Sequence, residues 1–245
     1  IDNYFLAYAQ GQPLGPLFVQ DGELIEEAYL DIGSSLGFGP QQAFLGFQSG
    51  VIDPVDINDD NNTDYVSNAD YNTVNQEFLH STRGYNSKFT MNMGTQYKDF
   101  LYMGASLNFH SIYYEKYTQL SERGYDSASE IQFINFDNLL ISRGQAFSFS
   151  LGLIARLNKY VRLGGSYQSP TWYELTDDLA QRINSDSPVK NPDITFIDFN
   201  IVNLFPRYKV KSPGKFNGSM AIVFGPNGLL SFDYGYQDMS NAELR

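Results

Sequence analysis

KFTMNMGTQYKDFLYMGASLNF, residues 88–109, decides how the rest of the chain is read. Phe89, Met91, Met93 and Tyr97 alternate with Lys88, Thr90, Asn92 and Gln96. Leu101, Met103, Ala105, Leu107 and Phe109 then alternate with Tyr102, Gly104, Ser106, Asn108 and His110. Period-two alternation on both sides of a short polar turn at Lys98 and Asp99 predicts a hairpin with one apolar and one polar face. Each arm holds about ten residues, the length with which a tilted strand crosses a bilayer.

The pattern recurs. Residues 143–157 set Phe147, Phe149, Leu151, Leu153 and Ala155 against Ser148, Ser150, Gly152 and Arg156. After a turn at Asn158 and Lys159, residues 160–168 leave with Val161, Leu163 and Tyr167 on the apolar side. A last hairpin sets Phe216, Met220, Ile222 and Phe224 against Lys215, Asn217 and Ser219, and turns at the Gly225-Pro226-Asn227-Gly228 signal. It leaves through Leu230, Phe232, Tyr234 and Tyr236, with Ser231, Asp233 and Gln237 behind them. Residues 41–52 read as a further strand, and 77–97 and 100–114 complete the opening hairpin, which makes about seven strands. Connections at 97–100, 157–160 and 225–228 are short, whereas those at 53–76, 115–142 and 169–212 are long and polar. Strict alternation places every short turn at one end of the sheet. That sorting is the periplasmic-turn, extracellular-loop asymmetry of an outer-membrane β-barrel; a soluble sandwich has no reason to produce it. The predicted class is therefore all-β, a transmembrane antiparallel barrel with short helices in its extracellular loops.

Composition agrees. Aromatic residues are abundant (18 Tyr, 19 Phe), mean hydropathy is slightly negative, and no stretch approaches the roughly 18–20 apolar residues of a spanning helix. A formal charge of -12 argues against nucleic acid, whose phosphates need a basic surface. Cysteine is absent, which removes disulfides, thiolate metal sites and cysteine nucleophiles together. A barrel must be exported, yet no signal peptide precedes Ile1, and Arg245 follows closely on a strand. An internal piece of a longer protein is expected, with further strands outside it.

Residues 1–40 lack strand alternation. Asp21 and Gly22 open a predicted helix over 23–32 that ends near Gly33, and the Tyr4-Phe5-Leu6-Tyr8 cluster suggests another. The domain plan is a structured loop with short helices at the barrel rim over 1–40, strands over 41–241, and the start of the next loop at 242–245. Between 53 and 64 the chain is acidic. Asp56, Asn58, Asp60 and Asn62 are spaced like the opening of a calcium loop, but Asn61 holds the position of the bend glycine and no glutamate closes the run. A solvated surface loop is the alternative. His80 and His110 are the two histidines, and neither lies in a nucleophile or metal-ligand motif, so no catalysis and no cofactor are expected.

Three runs carry a family likeness: YVRLGGSYQSPTWYELTDDLAQ at 160–181, YKVKSPGKFNGSMAIVFGPNGLLSFDYGYQDMSN at 208–241, and RGQAFSFSLGLIARLNKYVRLG at 143–164. They resemble the outer-membrane long-chain fatty-acid transporter family, closest to its branch labelled hemin receptor or aromatic-hydrocarbon transporter. The resemblance implies a fourteen-stranded barrel, plugged by an N-terminal hatch that this stretch lacks. Hydrophobic ligands would be caught by outer loops and released sideways through the wall.

A site for such a ligand needs apolar walls and one or two cations. The apolar candidates are Tyr4, Phe5, Leu6, Leu14, Leu17 and Phe18, with Trp172, Tyr173, Leu175 and Leu179 past a strand end. Trp172 and Tyr173 also suit an interfacial aromatic girdle. Arg156 and Arg162, with Lys88 and Lys215, are lumen-phase cations that could hold a carboxylate or pair with acids such as Asp233. The expected function is passive passage of long-chain fatty acids or aromatic hydrocarbons across the outer membrane of a Gram-negative bacterium. The partners expected are the hydrophobic ligand and the surrounding lipid and lipopolysaccharide, for a barrel that is monomeric. The competing reading is a barrel that serves as a receptor or partner-docking subunit, hemin binding included.

Overall fold

A computed structural model describes residues 1–71, 73–196 and 201–245. Residues 72 and 197–200, in the long connections expected over 53–76 and 169–206, lie outside the described residues. Strand occupies 53% of the chain, almost all of it in one antiparallel sheet, so the fold is mainly β. Among the described residues this sheet does not close into a barrel, and no helix is long and apolar enough to cross a membrane.

The chain divides into two compact units. The first comprises Ile1–Arg83, Glu115–Ile141 and Asp178–Phe205, and it holds the buried apolar core. Its helices are α1 (Asp2–Ala9), α2 (Ile25–Ser35) and α3 (Phe38–Gln48). Helix α2 buries Ile25, Ala28, Tyr29 and Ile32, the i, i+3, i+4, i+7 stripe of an amphipathic helix, and starts on Glu26 and Glu27, which favour the positive end of its dipole. It runs past the expected stop. Gly37, at φ 97°, ends it by donating to the Ile32 carbonyl, while Gly33 serves a different purpose: a side chain there would strike the Gln41 amide of α3. Gly46 likewise admits Phe5 of α1, whose Cβ would lie 2.6 Å from an added Cβ.

Helix α3 corrects the strand expected over 41–52. Ala43, Phe44 and Leu45 are consecutive and all buried, which no half-exposed strand allows, and Gln41, Ala43 and Gln48 suit a helix begun by Pro40 in its first turn. The acidic run follows a short hairpin strand, β1 (Ile52–Pro54), which pairs with β2 (Tyr65–Ser67).

The remaining strands follow a meander. They are β3 (Asn75–Tyr97), β4 (Leu101–Arg123), β5 (Phe133–Arg156), β6 (Val161–Gln168) and β7 (Thr171–Ser185), then β8 (Val202–Leu204), β9 (Tyr208–Ser212), β10 (Lys215–Val223), β11 (Leu229–Gln237) and β12 (Glu243–Leu244). Strand β5 pairs with β4 on one side and with both β6 and β7 on the other; β10 and β9 pair with β6 and β7 in turn. Thus β6–β7 and β9–β10 are each one long path with a short break. Three expectations are corrected here. Residues 115–123 and 133–142 are strand, which shrinks the loop expected over 115–141 to residues 124–132. Residues 171–185 are strand as well. Residues 243–244 pair with Val210 and Lys211 instead of opening a loop. The short turns after β3, β5 and β10 stand as expected.

The second unit comprises Gly84–Tyr114, Ser142–Asp177 and Pro206–Arg245. It is a sheet with two distinct faces. Register places Leu151, Tyr167, Phe216 and Tyr236 in one cross-strand row, and Ala155, Leu163, Met220 and Phe232 in another. Offset by one residue lie the rows Ser150, Gln168, Lys215, Gln237 and Gly152, Ser166, Asn217, Gly235. Since neighbouring residues on a strand point to opposite faces, the first two rows share an apolar face and the others a polar one. The apolar face is open to its surroundings: Met93 is 75% exposed and Phe232 57%.

Candidate functional site

The polar face of the second unit carries a groove of about 810 Å³. Small residues make it: Gly94, Gly104, Gly152 and Gly164 leave the backbone bare, and Ser106, Ser150, Ser166 and Ser219 add hydroxyls. Asn92, Asn217 and Asp233 supply the larger polar groups, with Asn217 Nδ2 donating to Ser166 Oγ at 3.2 Å. A Cβ on Gly152 would meet nothing closer than 4.0 Å, so the groove there is limited by backbone and has room above it. None of these residues was singled out from sequence as a site, apart from Asp233 as a salt-bridge partner. The available signal was the recurrence of glycine and serine in the polar phase of five strands.

Arg156 and Arg162 stand directly opposite one another in the β5–β6 register, on the same polar face near the short turn. Arg156 donates to the Tyr102 hydroxyl at 3.3 Å. Two like charges in one cross-strand pair repel, and the pair therefore favours an anion between them. Of the other expected lumen cations, Lys215 lies in the row of Ser150, Gln168 and Gln237, away from the arginine pair.

The expected outer groove is corrected residue by residue. Phe5, Leu14 and Leu17 are at most 1% exposed and belong to the core of the first unit. Tyr4, Leu6 and Phe18 pack against that core, and the Tyr4 hydroxyl donates to Gln42 Oε1 at 3.0 Å. Phe5, Leu14 and Leu17 are thus consumed by packing, while Tyr4, Leu6 and Phe18 stay half-buried at the margin of the core. Trp172 and Tyr173 part ways because strand neighbours alternate. Trp172 stacks on Phe147 and Phe149, at 6.2 and 6.4 Å between ring centroids, on the apolar face. Tyr173 and Leu175 lie on the opposite face, in register with Val210 and Tyr208. Leu179 belongs to the first unit, in register with Asn203. The aromatic row continues on both sides of Trp172, from Phe109 against Phe147 to Tyr167 against Phe216 at 4.6 Å.

In the run spaced like a calcium loop, the side chains bond to nearby backbone. Asp56 Oδ1 accepts from the Asn58 amide at 3.0 Å, Asn62 Oδ1 from the Asp56 amide at 3.3 Å, and Asn62 Nδ2 donates to the Asp64 carbonyl at 2.8 Å. These side chains cap their own backbone, as Asx turns do. The Asp60 carbonyl instead docks the loop on the Gly15 amide. Among the described residues no group of three or more acidic or histidine side chains converges to hold a metal.

The most connected polar group in the first unit was not foreseen. Gln181, 1% exposed, accepts from the Tyr29 hydroxyl and from Gln42 Nε2, both at 2.8 Å, and donates to Asn138 Oδ1 at 2.7 Å. Asn203 donates to the Tyr29 hydroxyl, and Gln41 to Asn203 and to the Tyr29 carbonyl. Burial pushes the Tyr29 phenol well above its ordinary pKa, with the Asn203 hydrogen bond opposing. Tyr29 therefore stays a neutral donor at physiological pH. The network fixes helices to strands.

Compared with known proteins, the chain matches no family model and no curated protein.

Proposed function

We propose that the chain builds part of the wall of an outer-membrane β-barrel through which hydrophobic molecules, long-chain fatty acids or aromatic hydrocarbons, pass without energy input. The observation that carries this reading is the two-faced sheet. Exposed large apolar residues on this scale mark a surface meant to be covered. From the row of Tyr167, Phe216 and Tyr236 to that of Val161, Ile222 and Leu230 runs six residues, about 20 Å of strand. That approaches the apolar band of about 25 Å on the outside of such barrels, and the aromatic row at its margin matches their girdle.

The polar face is the lumen in this reading, and the glycine-lined groove is the passage. A bulky apolar ligand can lie against bare backbone there, and the opposed Arg156 and Arg162 attract a carboxylate toward the short-turn end. Lateral release, which the family resemblance implies, would use the wall's own interruptions at Ser169-Pro170 and Pro213-Gly214, where the ladder already lacks bonds. No catalytic step and no cofactor enter the mechanism.

The test is flux into lipid vesicles holding the full-length protein. Gly152→Phe places a ring in open space above the groove and should cut uptake of a fluorescent fatty acid by about tenfold or more, equivalent to about 1.4 kcal/mol of barrier. Insertion into the vesicles should be unchanged. Undiminished uptake by an inserted variant would rule out the groove as the passage.

A further inference from the structure

We propose that the apolar face of the wall ends in a binding site for the phosphate of an outer-leaflet glycolipid headgroup, held between Arg143 and Arg207. The proposal rests on the barrel reading above and goes beyond it by giving a lipid phosphate a defined site and contacts.

Beyond the aromatic row the same face changes character within a few residues. Strand β5 presents Phe147 and then, two and four residues earlier on that face, Gln145 and Arg143. Strand β7 presents Trp172 and then Glu174 and Thr176. Across from Trp172 stands Lys211, and across from Glu174 stands Lys209. Arg143 is thus about 13 Å of strand past Phe147, the height at which headgroups meet an aromatic girdle. A groove of about 410 Å³ opens there, to which Tyr85, Ser111, Gln145 and Thr176 contribute beside the two arginines.

The arginines are held in place. Glu174 Oε1 lies 3.3 Å from Arg207 Nη1, and the Arg143 guanidinium sits 6.0 Å from the Tyr113 ring centroid. Five cations (Arg143, Arg207, Lys209, Lys211 and Arg245) share this band with two carboxylates, Glu174 and Glu243, in a chain whose formal charge is -12. Positive charge is concentrated where lipid phosphates would lie. Two guanidinium forks suit a phosphate, which they can each grip with paired N–H bonds, and the hydroxyls and amide beside them suit the sugar that carries it. A free phosphate would gain nothing from the apolar band beneath the groove. A lipid whose acyl chains lie on that band brings its phosphate to this height.

The probe is a bisphosphorylated acyl-disaccharide lipid compared with its dephosphorylated counterpart, each offered to the full-length protein in mild detergent and read by native mass spectrometry. The wild type should hold the phosphorylated lipid at least about tenfold more tightly, and R143Q/R207Q should lose that preference while still inserting into vesicles. R143K/R207K, which keeps the charge but loses the forks, should fall between. Should R143Q/R207Q fail to insert, Gln145→Glu replaces it by adding a carboxylate to the same groove, with the same loss expected. Equal binding of the two lipids by the wild type, or a preference that survives these variants, overturns the site and leaves the barrel reading standing. A wild-type protein that enters no bilayer overturns both.

Discussion

Gln181 shows how much one side chain can decide. Its amide meets Tyr29, Gln42 and Asn138 at once; Tyr29, Gln42 and Gln181 are buried and Asn138 is half-buried. Gln181→Leu would keep the volume but strand three polar partners, each of which costs about 1–3 kcal/mol when left unsatisfied, so a loss of about 2–4 kcal/mol is expected after partial relaxation. Limited proteolysis should read it as faster cleavage in residues 10–24, with the apolar-faced sheet still protected. Unchanged cleavage would mean that the helices are held by their apolar packing alone. The opposed Arg156 and Arg162 teach the converse lesson: their repulsion destabilises the sheet slightly, and an anion placed between them would relieve it.

At the scale of elements, the breaks in β6–β7 and β9–β10 are written in Pro170 and Pro213, which cannot donate to a ladder. Ser169 and Ser212 compensate with side chains, Ser169 Oγ accepting from the Phe149 amide and Ser212 Oγ from the Thr171 amide. Pro170→Val with Pro213→Val should let the paths run on, each new ladder bond adding about 0.5–1.5 kcal/mol. Hydrogen exchange at 168–172 and 211–215 should slow, and so should ligand release from vesicle-bound protein. Unslowed exchange would place the cause of the breaks elsewhere in the loops. The hairpins around 98–100 and 225–228 were legible because both of their faces have a uniform character. Strand β7 was not, since Trp172 and Glu174 share one face while Leu175 and Asp177 share the other. Strand β4 beyond Tyr114 was hidden for a related reason: Leu120 and Glu122 meet protein there, so no apolar–polar alternation survives. Helix α3 was not legible because its short apolar stretch, Ala43 to Phe47, fits either period until the burial of Ala43, Phe44 and Leu45 together settles it.

For the whole molecule, the issue is what covers the apolar face, and adjacent residues on one strand can decide it. Met220 sits mid-band, with Leu163 and Phe232 as its cross-strand neighbours; Ser219 faces the other way, with Gly164 and Asp233 beside it. If lipid covers the apolar face, Met220→Lys places an ammonium in hydrocarbon and costs about 2–4 kcal/mol of folding free energy in the bilayer. Ser219→Lys puts the same charge into a polar lumen next to a carboxylate, and should cost less than about 1 kcal/mol. Urea titration of the full-length protein in lipid vesicles measures both. The predicted difference is one of face alone, since the residues are neighbours with the same depth, strand and introduced side chain. Propensity and unfolded-state effects therefore nearly cancel. Equal costs would mean that both faces see the same surroundings, and the membrane reading would fall with the transport and glycolipid proposals built on it. A deficit confined to Met220 would make the alternation first visible at 88–109 a measure of where the lipid lies.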